Sequence, residues 1–305
     1  MMVDDIRTRY LEAGTGDSVL VLIHGGGYDY RGSTTAEDWY ANISDLADRY
    51  GYHTFAIDKL GAGETDSPAT DEAHTMAAII DHAWRTIETL GIEHCAVVGH
   101  SRGGLVAARL ALDHPDVVGA LVVIDSNTLA AEDPVVPGDF YERPYSSPGQ
   151  IPTADTVTQL TESNAYSRGG GMDVLLAHKV DLLSRPHPHR PHTVEAIERI
   201  TRLTREVFLP DMAEEKYAAL DRIRRGELRV PTLLFWGLND PSAPLKIGFD
   251  LYQLIGMSTD EAQLHVFNRS GHWLHVEHPA DFGDVLCTFL ARHWPRSASP
   301  ASFSS

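Results

Sequence analysis

Three residues of this chain have the types and spacing of a nucleophile, a base and an acid. Ser101 lies in the motif GHSRGG (99–104), which directly follows the apolar run CAVVG and opens an amphipathic stretch. A serine at such a strand-to-helix turn projects its hydroxyl from the carboxyl edge of a sheet, beside the positive end of the helix dipole. Helix capping is the alternative role for a serine at this junction. The surrounding pattern favours Ser101 as a nucleophile.

A serine hydroxyl needs a base, and the base needs an acid that holds it in the correct tautomer. His272 follows the apolar run LHVFN, and Asp240 follows TLLFWG, so each comes just past a predicted strand. Catalytic loops of an open α/β sheet gather at that edge. Asp240 lies in a turn, where an aspartate often serves only to form the turn. Asp125, which ends ALVVID, is an alternative acid because it too comes at the end of a predicted strand. Paired with the serine turn and the histidine at matching spacing, Asp240 is the favoured acid.

The glycine run HGGG (24–27) ends the strand-like run VLVLI and predicts an oxyanion hole. Small residues let the backbone approach a substrate oxygen, so the N–H of Gly26 is one expected donor. The N–H of Arg102, directly after the nucleophile, is the other. A flexible turn is the alternative interpretation of the glycines. Neighbours of these groups are predicted to contact the substrate: Gly25, Gly27, His100 and Trp273.

Apolar runs of strand length alternate with amphipathic helical stretches along most of the chain. Strands apolar on both faces, separated by helices, predict a mostly parallel sheet covered by helices on both faces. The predicted strands are 6–13, 18–25, 53–58, 95–100, 120–125, 231–237 and 262–268. The predicted helices of this part are 36–50, 74–91, 103–115, 245–255 and 281–294.

Residues 132–225 interrupt this alternation. Pro and Gly are dense at first, and helical stretches follow at about 172–184 and 193–207. We interpret the segment as an inserted helical cap, which would roof the site and set specificity. Residues 1–131 and 226–294 then form the core domain, and the Ser/Pro-rich tail 295–305 is expected to be disordered.

Composition excludes several classes of function. The chain has 305 residues, 43% of them hydrophobic, and a net charge of −18 without a basic run. This argues against nucleic acids and anionic membranes as partners. Cys95 and Cys287 lie in apolar runs and are expected to be buried, reduced thiols. With no signal pattern and no apolar stretch near 18 residues, we expect a cytoplasmic protein.

The remaining histidines do not predict a metal site. The stretch RPHPHRPH contains His187, His189 and His192, but it lacks cysteine or acidic companions, so a solvated loop is favoured. His275 and His278 follow the predicted base and are expected to be packing or surface residues. No metal or other cofactor is predicted.

With these motifs placed, the chain resembles the α/β-hydrolase superfamily over residues 6–294. Within it, the chain most resembles the meta-cleavage-product hydrolases, serine enzymes that hydrolyse C–C bonds in ring-fission products of aromatic compounds. The similar stretches are HGGG followed by Trp39, AIDKLGAGETDSP, GHSRGG and SGHWLHVEHPADF. The resemblance implies a 2-hydroxy-6-oxo-dienoate-type substrate and a role for the histidine in enol-to-keto tautomerisation. It also makes a homodimer an expectation.

The chain departs from that family in two places. His100 stands where the family often has asparagine, and the cap arginine that pairs with the substrate carboxylate has no unique match. Lys179, Arg185 and Arg190 all fall in the right region, although lysine lacks the bidentate fork of arginine. The expected partner is therefore a small molecule, either an anionic keto acid or an ester.

Other functions of the same fold stay open to different degrees. A carboxylesterase or lactonase would use the same triad. A non-catalytic binding protein would usually lack a triad member, and none is missing here. Haloalkane dehalogenases and epoxide hydrolases need a carboxylate at the nucleophile turn, whereas position 101 is serine.

Overall fold

A central sheet of seven strands organises the molecule. The computed structural model describes residues 1–28, 34–130, 152–185 and 193–294. In chain order the strands are β1 (Met2–Val3), β2 (Ile6–Arg7), β3 (Tyr10–Ala13), β4 (Val19–Ile23), β5 (His53–Ile57), β6 (Cys95–His100), β7 (Val118–Ile124), β8 (Thr232–Gly237) and β9 (Ala262–Phe267). The central sheet has the order β3-β5-β4-β6-β7-β8-β9. Only β3 runs antiparallel to its neighbour, which confirms the predicted mostly parallel sheet.

Helices connect the parallel strands and cover both faces of the sheet. They are α1 (Tyr40–Asp48), α2 (Met76–Thr89), α3 (Arg102–Asp113), α4 (Ala154–Ser163), α5 (Met172–Ser184), α6 (Val194–Leu203), α7 (Leu209–Arg224), α8 (Leu245–Gly256), α9 (Leu274–Glu277) and α10 (Pro279–His293). The predicted helix over residues 74–91 is observed as α2, and its face with Met76, Ile79, Ile80, Ala83 and Ile87 is buried.

Alternate residues of the strands feed two separate cores. In β4, Val21 and Ile23 pack with α2, α3, α7 and α8, whereas Leu20 and Leu22 pack with α1 and α10 on the other face. Complete burial of such a side chain contributes about 1.5–3 kcal/mol. The sheet is therefore fixed from both sides, and its carboxyl edge is a rigid platform for loops.

The predicted strand over residues 6–13 is wrong in one respect, because the chain breaks there into two strands of different sheets. Residues of β2 pair with β1, and those of β3 pair with β5. Thr8 lies at the break and is buried, with its N–H donated to Met1 O (2.8 Å) and its hydroxyl 2.9 Å from His82 Nε2. The backbone of Thr8 thus continues the pairing of β2 with β1, and its side chain contacts α2.

The described residues between 154 and 224, which connect β7 to β8, are mainly helical, as predicted. The stretches expected at 172–184 and 193–207 correspond to α5 and to α6 with the π-helical turn Thr204–Phe208. Helices α4 and α7 were not predicted. Helix α4 is mainly polar and begins with a capping box at Thr153, and α7 has Pro210 in its first turn after the π-helical turn.

The last of these helices returns to the core. Ala219, Leu220 and Ile223 of α7 are fully buried in the same core as α2 and α3. The proposed cap limits 132–225 stay a prediction, since residues 131–151 and the tail 295–305 lie outside the described residues.

Two smaller observations bear on the composition. Cys95 and Cys287 are both buried free thiols, as expected. Within the described ranges, no helix has the length and apolar character that crossing a bilayer requires.

Candidate active site

The backbone at Ser101 forms a sharp turn between β6 and α3. Ser101 has a φ of 53°, a left-handed conformation that costs a non-glycine residue roughly 1–3 kcal/mol. Its N–H donates to Ile124 O (2.8 Å) and its carbonyl accepts from Gly104 N (2.9 Å). A side chain at Gly99 would overlap the Gly103 carbonyl, so the turn requires glycine there. This strained turn, directly after β6, places Ser101 at the carboxyl edge of the sheet.

His272 and Asp240 meet at the ends of β9 and β8. Nδ1 of His272 lies 2.6 Å from Asp240 Oδ2, and both residues are at least nine-tenths buried. Because Nδ1 donates its proton to the carboxylate, Nε2 is the nitrogen that can accept one. The structure thus brings the predicted base and acid together.

The second oxygen of Asp240 is also fully engaged. Asp240 Oδ1 accepts from Ser242 N (2.7 Å), Ala243 N (2.9 Å) and the Ser242 hydroxyl (2.8 Å). The same hydroxyl lies 3.0 Å from His272 Nδ1. Sequence reasoning missed Ser242, and its only signal was a serine two positions after an aspartate in a turn. These bonds fix the carboxylate on the imidazole.

Asp125, the alternative acid, has a different partner. It ends β7, is fully buried, and accepts from Gly237 N (2.8 Å). Its carboxylate, that of Asp240 and a ring nitrogen of His272 lie within 4.8 Å of one another. Burial, with the neighbouring Asp240 carboxylate, raises the pKa of Asp125 well above its usual value. Asp125 therefore joins the ends of β7 and β8, and Asp240 is the carboxylate in contact with His272.

The turn at Ser101 is in direct contact with the histidine loop, the segment between β9 and α9 that contains His272. His100 Nε2 donates to the carbonyl of His272 (2.8 Å), and the two rings lie 4.6 Å apart. Burial, with His272 and His275 nearby, lowers the pKa of His100 well below its usual value. The described hydrogen bonds of the His272 ring are to Asp240 and Ser242. A bond from a nucleophile hydroxyl commonly tightens only when substrate is bound.

His100 and Trp273, both predicted to contact the substrate, are almost completely buried. His100 packs against the rings of Trp273 and His275. His275 is a packing residue, as expected, and lies 4.6 Å from the Trp39 ring. His278, by contrast, is partly exposed and its Nε2 lies 3.2 Å from Arg269 O.

Glu277 anchors the histidine loop, and sequence reasoning missed this role of Glu277. Its carboxylate accepts from Gly271 N (2.9 Å), Tyr166 N (3.2 Å) and Ser167 N (3.2 Å). The latter two residues belong to the segment after α4. Glu277 therefore ties the loop that carries the base to the inserted segment.

The glycine loop lies against the nucleophile. A Cβ at Gly25 would come 3.0 Å from the Ser101 Cβ, and Gly26 has a φ of 68° that suits glycine. Gly27 packs beside the Phe208 ring, over which the Arg102 guanidinium lies at 5.5 Å. The predicted oxyanion groups are therefore adjacent to the predicted nucleophile.

Lys179, one of the predicted cap cations, lies beside Trp273, the residue that follows His272. Its ammonium bonds Asp38 Oδ1 at 2.7 Å, and both side chains are at most 3% exposed. The same ammonium lies 4.8 Å from the centre of the Trp273 ring, and Trp273 Nε1 donates to Thr161 O (3.2 Å). Lys179 thus joins the inserted segment to the core through a buried ion pair.

The other cap candidates are placed differently. Arg185 is 38% exposed and pairs with Asp181 (2.7 Å) and Glu64 (3.2 Å). Arg190 lies outside the described residues, as do His187, His189 and His192.

Comparison with known proteins gives the same family over most of the chain. A family model described as alpha/beta hydrolase fold matches residues 18–279. A 2-hydroxymuconate semialdehyde hydrolase from a Pseudomonas species is 30% identical, over 94% of this chain and 91% of its own. A 2-hydroxy-6-oxononadienedioate/2-hydroxy-6-oxononatrienedioate hydrolase from Paraburkholderia phymatum is 28% identical, over 94% and 92% of the two chains.

Solved structures agree with this assignment. A meta-cleavage product hydrolase from Pseudomonas fluorescens is 25% identical, with a TM-score of 0.72, and the match covers 94% of this chain and 95% of that chain. The resemblance to meta-cleavage-product hydrolases is therefore confirmed. The fold, the family model and these relatives show that this chain belongs to the alpha/beta hydrolase family.

Proposed function

We propose that this hydrolase uses Ser101 as nucleophile, His272 as base and Asp240 as the acid that orients the base. The contact between His272 Nδ1 and Asp240 Oδ2, beside the strained turn at Ser101, is the observation that carries the proposal. This arrangement lets His272 Nε2 take the serine proton while Asp240 stabilises the imidazolium. The backbone N–H groups of Gly26 and Arg102 would hold the oxyanion.

We further propose that the substrate is a 2-hydroxy-6-oxo-dienoate-type ring-fission product. Similarity to relatives that are named as hydrolases of such compounds supports this, because it extends over more than nine-tenths of the chain. In such a reaction His272 would assist ketonisation of the dienol, and Ser101 would add to the 6-ketone. Cleavage of the adjacent C–C bond would release the 2-hydroxydienoate, and water would then free the carboxylic acid from the serine.

One observation favours a carboxylesterase or lactonase as the second candidate. A dienoate carries a carboxylate that a cap cation should bind. Lys179 and Arg185 are each already bonded to carboxylates of this chain. A neutral ester would not need either of them.

Product analysis distinguishes the two substrates. The purified enzyme and its Ser101→Ala variant are each given a 2-hydroxy-6-oxo-dienoate and, separately, a p-nitrophenyl ester, with products identified by mass. We expect rapid, Ser101-dependent conversion of the dienoate to two acids, faster than ester cleavage. Ester cleavage with an intact dienoate would reject C–C hydrolysis and favour the esterase or lactonase.

A further inference from the structure

A buried lysine lies behind the glycine loop and has no role in the triad. Lys59 is 1% exposed and comes two residues after β5. Its ammonium donates to two consecutive carbonyls of the loop, Gly25 O at 2.8 Å and Gly26 O at 2.5 Å. Both carbonyls belong to the segment that lies against Ser101.

His24 donates to one of the same carbonyls. His24 Nε2 accepts from the backbone N–H of Lys59 (3.1 Å), so the ring proton must be on Nδ1, which lies 2.8 Å from Gly25 O. Burial lowers the pKa of His24 well below its usual value, and the charge of Lys59 adds to this effect. The imidazole is therefore a neutral donor, and Gly25 O receives two hydrogen bonds.

The geometry has a consequence for the oxyanion donor, because one peptide group contains both Gly25 C=O and Gly26 N–H. Hydrogen bonds to a peptide oxygen polarise the group and make its N–H a stronger donor. A cation does this more strongly than a neutral donor, particularly in a site from which water is excluded. The Gly26 carbonyl and the Gly27 N–H also form one peptide group, so the bond from Lys59 to Gly26 O polarises the Gly27 N–H in the same way.

We propose that Lys59 is a positioning residue of the oxyanion hole, which it fixes and polarises through the Gly25 and Gly26 carbonyls. The inference rests on the proposed serine mechanism, but it holds for a C–C bond and for an ester. Lys59 contributes most when negative charge develops on the substrate oxygen. It therefore stabilises the transition state more than the bound substrate.

Substitution by methionine removes the charge with little change in length. For Lys59→Met with p-nitrophenyl acetate we expect kcat to fall about tenfold and KM to change less than about twofold, because the lost interaction acts in the transition state. Phenylboronic acid, which adds to the Ser101 oxygen as a tetrahedral mimic, should bind about tenfold more weakly. The concentration of functional active sites in each preparation is measured from the burst of p-nitrophenol.

The matched control is Lys216→Met, which removes another largely buried lysine, on α7 beside the Tyr217 ring. It should leave kcat and boronate affinity unchanged. If Lys59→Met does not fold, Lys59→Gln keeps a donor without the charge and should show losses of kcat and boronate affinity in the same direction but no larger. The proposal is overturned if a folded variant binds phenylboronic acid as tightly as the wild type, or if KM rises as much as kcat falls.

The test of Lys59 can fail independently of the test of the proposed dienoate substrate. A wild-type enzyme that cleaves the ester but not the dienoate would reject C–C hydrolysis alone. A wild-type enzyme that neither cleaves the ester nor binds the boronic acid would overturn both the oxyanion hole and the role of Lys59.

Discussion

The carboxyl edge of the sheet and the inserted segment meet at the histidine loop, yet different contacts hold them. At the sheet edge, Asp240 is fixed by Ser242, two residues away along the chain. In the inserted segment, Lys179 is held by Asp38, 141 residues away, and Arg185 contacts Glu64, 121 residues away. The Asp240 carboxylate is thus fixed by a short motif, whereas the contacts of Lys179 and Arg185 with the core depend on partners distant along the chain.

The two buried aspartates at the sheet edge should differ most under substitution. Asp240→Asn should lower kcat by about 10⁴, because an amide stabilises the wrong tautomer of His272. Asp125→Asn should lower it by less than about tenfold, because the described hydrogen bond of the Asp125 carboxylate comes from the backbone N–H of Gly237, which an amide oxygen can also accept. Steady-state kinetics with either substrate tests this. Equal losses in the two variants would contradict the assignment of the acid.

The buried ion pair of the inserted segment should matter first for stability. Lys179→Met should lower the free energy of unfolding by about 3–5 kcal/mol, because it leaves the Asp38 carboxylate buried without its cation. Adding Asp38→Asn should restore most of the loss. Urea unfolding of the two variants measures both effects. If Lys179→Met is as stable as the wild type and raises only the KM of the dienoate, Lys179 is a substrate anchor instead.

His275, which is buried near the contact between the inserted segment and the core, should make the folded protein less stable in acid. Burial, followed by the charges of His272 and Lys179, lowers its pKa to about 3, so the unfolded chain binds the proton more readily. Stability should fall as the pH drops from about 6.5 towards 3, with a cost near 2 kcal/mol at pH 5. His275→Leu should reduce the difference between urea unfolding at pH 7 and pH 5. An unchanged difference would contradict this.

Ser242 should have the smallest effect of the groups at the sheet edge. In Ser242→Ala, Asp240 loses one of its donors but keeps two backbone N–H bonds. We expect a loss of about 1 kcal/mol, or roughly fivefold in kcat, with little change in KM. A loss as large as that of Asp240→Asn would mean that the hydroxyl itself takes part in proton transfer.

Sequence reasoning placed residues correctly where their position in the fold follows from their neighbours along the chain. Ser101, Asp240 and His272 each follow an apolar strand, so their common edge could be predicted. Lys59 and Glu277 lie in stretches that resemble the meta-cleavage-product hydrolases, but their roles were missed because their partners are backbone groups of loops far along the chain.

The same limit applies to the elements of the fold. The alternation of strands and helices predicted the parallel sheet, because both faces of each strand are buried. The break at Thr8 depends on its contact with His82 in α2, which no local pattern contains. The inserted helices α4 and α7 were missed because polar composition and a π-helical turn hide their periodicity.

Covalent labelling tests the central claim, that Ser101 is the nucleophile, most directly. The wild-type enzyme is treated with a fluorophosphonate, and the adduct is located by peptide mass spectrometry. We predict one adduct per chain, on the peptide that contains Ser101, and slower labelling of His272→Ala. Ser101→Ala should remain unlabelled while unfolding like the wild type. An adduct at another residue, or a Ser101→Ala variant that is still labelled and active, would contradict the account.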